Sequence, residues 1–235
     1  MKKIIIFSVF IFSAAVLGYS QSVRVAGAYD SFILSFSKLS IDGKSVSSKP
    51  RFTCFLHLGF TVHVEFSKNI GIYSGLGIKN IGFISTSSVA GTPIMMKRRS
   101  YNLCLPLGLK IGAFHKNIAI FGGGTIELPF HYKEKYFENG EKKSKFTEWF
   151  SSRTPLYMYS AFGGIEFPLG FYLKFQYYFN NFLNKSFSGD GITFAKYDAD
   201  VFYISFGFNF YNKKYKGDKS TIKNTLSPKE ALRTI

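Results

Sequence analysis

The chain has 235 residues and a formal net charge of +16; 46% of it is hydrophobic and 19% aromatic. One domain is enough for this length, and the excess of Phe and Tyr leans towards a β protein near lipid, because aromatics favour strands and membrane interfaces. The positive charge is read as solubility and attraction to anionic lipid phosphate, and nucleic-acid binding is set aside for an exported chain.

Residues 1–20 read as a secretory signal peptide: Lys2 and Lys3, an apolar run from Ile4 to Leu17, then Gly18, Tyr19 and Ser20, with cleavage expected before Gln21. The run is shorter than the ~20 residues of a spanning helix. No later stretch qualifies, so any membrane span is made of strands.

Eight segments then alternate with period two, the signature of strands. The first, about Ser22 to Ser35, is the least regular and turns Arg24, Ala26, Ala28 and Asp30 inward; a polar loop, Lys38 to Lys49, follows. In the second, Phe52 to Phe66, Cys54, Leu56, Leu58, Phe60, Val62 and Val64 point outward, and Thr53, Phe55, His57, Gly59, Thr61, His63 and Glu65 inward. Ser67, Lys68 and Asn69 make a tight turn. Strand three, Ile70 to Phe83, sends Tyr73, Gly75, Gly77 and Lys79 inward, before a Ser/Thr/Gly loop from Ile84 to Lys97.

Ser100 to Tyr132 is the clearest stretch, two alternating segments joined at Phe114, His115, Lys116 and Asn117. Leu103, Leu105, Leu107, Leu109 and Ile111 share one face of the first segment, with Asn102, Cys104, Pro106, Gly108 and Lys110 on the other. In the second, Ile118, Ile120, Ile126, Leu128, Phe130 and Tyr132 oppose Ala119, Phe121, Thr125, Glu127, Pro129 and His131. Each segment suits the ~9–11 residues with which a tilted strand crosses a bilayer. The longest loop follows Lys133 and ends near Thr154. Strands six, Pro155 to Phe167, and seven, Phe171 to Asn180, meet at the tight turn Pro168 to Gly170 and turn Glu166, Tyr172, Lys174, Gln176 and Tyr178 inward. After the loop Asn181 to Asp200, the last strand alternates Phe202, Ile204, Phe206, Phe208 and Phe210 with Tyr203, Ser205, Gly207, Asn209 and Tyr211.

Connections alternate between long and short, the pattern of outer-membrane barrels with short periplasmic turns and longer extracellular loops. The expected fold is therefore all-β: an eight-stranded antiparallel up-and-down transmembrane β-barrel over residues 21–211, followed by a basic, disordered periplasmic tail over 212–235. Eight strands leave room for little beyond their own side chains. The inward charges, Glu65, Glu127 and Glu166 against Lys79, Lys110 and Lys174, are read as an interior salt-bridge network, because charges shielded from water persist when paired. Cys54 and Cys104 lie on opposite faces, two strand spacings apart. That exceeds the reach of a disulfide, so both are read as unbridged, buried small residues.

A catalytic site is not found. His57, His63 and His131 are assigned inward and His115 to a turn, and no nucleophile, histidine and acid face lipid together. His57 and His63, six residues apart on a strand, stand about 20 Å from each other, too far to share a metal. Gly122, Gly123 and Gly124 lie mid-strand with no helix after them, which favours close packing over a phosphate cradle. No catalytic, cofactor or metal site is assigned.

Tyr101 to Lys110 resembles the strand with a central proline in PorT-like outer-membrane β-barrel proteins of Bacteroidota. Tyr73 to Gly77 and Gly163 to Phe167 are similar to other strands of that family, over roughly Ser22 to Tyr211. The resemblance implies an exported outer-membrane protein of a Gram-negative cell, and most members have no established activity. Phe206, Phe208 and Phe210 resemble the aromatic terminus read by the barrel-assembly machinery, although Asn212 to Ile235 follow it. The expected function is a structural or interaction role, with outer-membrane lipid and lipopolysaccharide around the wall. Contacts would run through the outer loops or, by the basic tail, to a periplasmic or envelope protein. A narrow channel for small solutes is the alternative, and a lipid-modifying enzyme the third.

Overall fold

The computed structural model describes residues 22–116, 118–189 and 191–212. The leader at 1–20 and nearly all of the tail at 212–235 lie outside the described residues. The chain is an all-β antiparallel sheet. Among the described residues its helical content is two 3-10 turns, at Phe114–Lys116 and Pro168–Gly170, and no helix is long and apolar enough to cross a membrane.

Among the described residues thirteen strand segments replace the eight uninterrupted strands expected. In chain order they are β1 (Ser22–Ile41), β2 (Lys44–Lys49), β3 (Arg51–Thr53), β4 (Leu58–Glu65), β5 (Ile70–Val89), β6 (Thr92–Ala113) and β7 (Ile118–Glu138). After these come β8 (Glu141–Trp149), β9 (Met158–Glu166), β10 (Phe171–Tyr178), β11 (Ser188–Gly189), β12 (Ile192–Thr193) and β13 (Tyr197–Tyr211). Pairing runs from β1 to β4, β5, β6, β7, β9, β10 and β13. β13 then pairs back onto β1, from Ala26 opposite Tyr211 to Ile41 opposite Tyr197.

Of the five additional segments, β3 is cut from the expected second strand and β11 and β12 pair with each other within the expected loop Asn181 to Asp200, while β2 and β8 are arms of hairpins; three of the expected loops are such hairpin extensions. Each reverses on two residues with positive φ: Asp42 and Gly43, Ala90 and Gly91, Asn139 and Gly140. Two successive positive φ values make the turn whose twist matches that of paired strands. The ladder therefore runs on to Ile41 opposite Lys44, Val89 opposite Thr92 and Glu138 opposite Glu141.

Two local irregularities change which way side chains point. Between Tyr101 and Asn102 the register to β7 skips Phe130. A bulge of one residue reverses the alternation beyond it. Tyr132 is consequently buried and His131 turns outward against the Trp149 ring, with centroids 4.6 Å apart, the reverse of both sequence assignments. The second irregularity is a break at residues 54–57, between β3 and β4, where Leu56 has φ 58. Phe55, assigned inward, is 65% exposed there, and Cys54 is exposed rather than buried; Cys104 is buried as expected.

The outward face is apolar and open. Leu103, Leu105, Leu107, Leu109 and Ile111 of β6 are all exposed, as are Ile120, Ile126, Ile165, Leu173 and Phe175 on the strands beside it. The apolar core proper sits at the end of the sheet that carries the hairpin extensions. There Phe182, Leu183 and Phe194, from the segment between β10 and β13, are fully buried against Phe83, Tyr178, Val201 and Tyr203.

Candidate functional site

Below that apolar core the inward side chains form tiers of paired charge. Glu127 and Lys79 form the upper tier, with Nζ 3.1 Å from Oε1. The same carboxylate accepts from Asn102 Nδ2 at 2.8 Å, Gln176 Nε2 at 3.1 Å and the Tyr178 hydroxyl at 2.8 Å. Lys79 also donates to Gln176 Oε1. In the middle tier Lys174 stands 3.0 Å from Asp30, which accepts further bonds from the Tyr172 and Ser205 hydroxyls. The lower tier pairs Lys110 with Glu166 at 2.7 Å, and Asn209 and the Tyr211 hydroxyl donate to the same carboxylate. Glu65 pairs with Arg24, whose guanidinium lies 4.4 Å from the Tyr211 ring centroid.

All six charges picked out by alternation thus lie on the inner side, yet two of their partners differ from a simple set of three acids and three bases. Glu65 meets Arg24, and Lys174 meets Asp30. Both partners occupy inward positions of β1, the strand with the weakest alternation. The uncharged partners, Asn102, Gln176, Tyr172, Tyr178 and Tyr211, were legible only as inward positions. Which acid each reaches depends on the stagger between strands.

A cavity of ≈ 110 Å³ lies among the lower and middle tiers, bordered by Asp30, His57, His63, Tyr73, Lys110 and Lys174. His57 Nε2 is 3.2 Å from the Asn80 carbonyl, and His63 Nε2 is 2.9 Å from Thr61 Oγ1. Aromatic rings narrow the space. Tyr73 lies over Gly108 and Tyr172 over Gly207, at positions where any Cβ would collide with the ring. Gly108 and Gly207 are therefore seats for interior rings, whereas at Gly59 and Gly75 a Cβ would meet the backbone of the neighbouring strand. Among the described residues no cluster of His, Cys, Asp or Glu is placed to hold a metal ion. Chemically, each tier is a pair of opposite charges that neutralises itself.

No protein-family model and no curated protein matches the chain. Among solved structures it is similar to Ail, the attachment invasion locus protein of Yersinia pestis, in complex with the heparin analogue sucrose octasulfate. Identity is 12%, coverage 80% of this chain and 99% of that one, and the TM-score 0.38. OprG, an outer membrane protein of Pseudomonas aeruginosa, gives 12% identity, coverage of 81% and 97%, and a TM-score of 0.36. Likenesses this distant carry no functional argument. The fold rests on strand register, and the resemblance to PorT-like barrels rests on the motif residues alone.

Proposed function

We propose that the pairing circuit is an eight-staved barrel set in an outer membrane, a sealed structural or interaction protein whose outer hairpins, or the tail after Tyr211, make the contacts. The observation that carries this reading is the open apolar face of β6. Five successive outward positions, Leu103 to Ile111, are 43–63% exposed. A water-soluble sheet would cover such a row with a second layer, whereas a barrel leaves it to lipid. Nine residues from Leu103 to Ile111 fit the ~9–11 of a tilted membrane strand. Tyr101, Trp149 and Phe179 stand at the upper rim of this face and Phe171 and Phe210 at the lower, in the places of interfacial aromatic girdles.

Sealing follows from two barriers in series, the tiers of paired charge and the apolar plug of Phe182, Leu183 and Phe194. The test is heat-modifiability of the outer-membrane fraction on detergent gels, combined with quenching of Trp149, the chain's one tryptophan, by brominated lipid. A faster unboiled band and quenched emission are expected. A soluble protein with unquenched emission overturns the membrane reading. In planar bilayers the intact protein is expected to stay at baseline conductance, and discrete single-channel steps would favour the narrow channel instead.

A further inference from the structure

The outward face of β6, β7 and β8 changes character abruptly above the apolar belt. An aromatic row of Tyr101, His131 and Trp149, register partners across the three strands, lies at this boundary. Their centroids are 5.5 Å apart for Tyr101 and His131, and 4.6 Å for His131 and Trp149. The next outward row is Arg99 opposite Lys133, with Thr147 beyond. The row after that is Lys97 opposite Lys135, opposite Lys145. No carboxylate occupies an outward position in these two rows. The acids of the same stretch of β7 and β8 alternate onto the other face, where Glu134 takes Arg98 at 2.8 Å and Glu148 takes the Ser151 hydroxyl.

Directly opposed like charges destabilise a sheet, so three lysines in one cross-strand row are held against their own repulsion. Partial burial, and then Arg99, Lys145, Lys135 and Lys142, hold the Lys133 ammonium below the usual lysine range; burial, Arg99 and Lys142 do the same to Lys135. An anion at this face would remove that cost. Rows two residues apart on a strand are about 7 Å apart, so the cations stand roughly 7–13 Å above the Tyr101, His131 and Trp149 ring.

We propose that Lys97, Arg99, Lys133, Lys135 and Lys145 form a binding face for the phosphate groups of outer-leaflet lipid headgroups, with Trp149 and His131 against the lipid immediately below. This rests on the membrane reading above. A lipid source is favoured over a soluble polyanion because the cationic rows continue directly from the apolar belt through the aromatic ring. One molecule with acyl chains below and phosphates above then covers all three levels. Juxtamembrane Lys and Arg contribute about a factor of five each to the attraction of an anionic surface.

The test is native mass spectrometry of the full-length protein in detergent, titrated with bisphosphorylated lipid A or with dephosphorylated lipid A. Wild type is compared with a variant carrying Lys97→Gln, Arg99→Gln, Lys133→Gln, Lys135→Gln and Lys145→Gln. A second variant loses equal charge elsewhere, through Lys44→Gln, Lys49→Gln, Lys68→Gln, Lys116→Gln and Lys196→Gln. Expected are retention of lipid A by wild type and by the second variant, and more than about tenfold weaker retention by the first. The dephosphorylated lipid should bind wild type as weakly as lipid A binds the first variant. Equal retention by all three proteins, or indifference to the phosphates, overturns the proposal, as does full displacement of lipid A by soluble heparin. If Trp149 is quenched by brominated lipid while those outcomes hold, the barrel reading survives and the phosphate face alone fails. An unquenched Trp149 removes both.

Discussion

The inner and outer faces of the sheet treat charge in opposite ways. Inside, each carboxylate of the tiers has a cation beside it: Asp30 with Lys174, Glu65 with Arg24, Glu127 with Lys79, Glu166 with Lys110. On the outer rows of β6, β7 and β8, cation stands opposite cation. Desolvation explains the difference. A buried charge without a partner costs several kcal/mol, whereas an exposed one keeps its water and its repulsion is screened. Interior pairing is therefore a condition of folding, and the exterior is available for recognition.

The largest effect expected on breaking this contrast is at Glu127. Glu127→Ala strands Lys79, Asn102, Gln176 and Tyr178 without their common acceptor and should destabilise by about 3–5 kcal/mol, read as a fall in the urea midpoint of the detergent-folded protein. Gly207→Val places a branched side chain into the Tyr172 ring and is expected to cost about 1–3 kcal/mol or more in the same assay. Retained stability would show that the ring has somewhere else to go. The comparison is sharpened by removing a whole interior pair. Asp30→Leu with Lys174→Met should cost far less than Asp30→Leu alone, because the double variant leaves no orphaned charge. The ratio of the two urea midpoints checks this. The smallest effect belongs to the exterior. Lys135→Gln should change stability by no more than about 0.5 kcal/mol, with any change a gain that fades as salt is added, since it relieves two opposed lysines.

Much of the architecture was legible as alternation. Leu103 to Ile111 on one face and Asn102 to Lys110 on the other emerged from period two alone, as did the inward placement of Glu65, Lys79, Glu127, Glu166 and Lys174. Where the reading went wrong, a single local event was responsible. The bulge that skips Phe130 exchanged the faces of His131 and Tyr132, and parity carries no warning of an inserted residue. The break around Leu56 exposed Phe55. The three polar loops became hairpins, and in two of them the signal was present, since Asp42-Gly43 and Asn139-Gly140 are strong two-residue turn formers. Their polar flanks concealed them, because the stretches Lys44 to Lys49 and Glu138 to Lys145 hold a single apolar side chain, Val46, to show an alternation.

The sequence by itself determined the strand periodicity and, over the apolar belt, the two faces, because side-chain direction in a strand is set by parity. Tertiary structure alone decided which acid meets which base, that β13 pairs with β1, that Phe182 and Phe194 join the buried apolar core, and that Lys97, Lys135 and Lys145 share a row. Those are properties of stagger between strands distant in the chain. Stagger is fixed by bulges, turns and packing summed over the whole sheet, and no single segment records it.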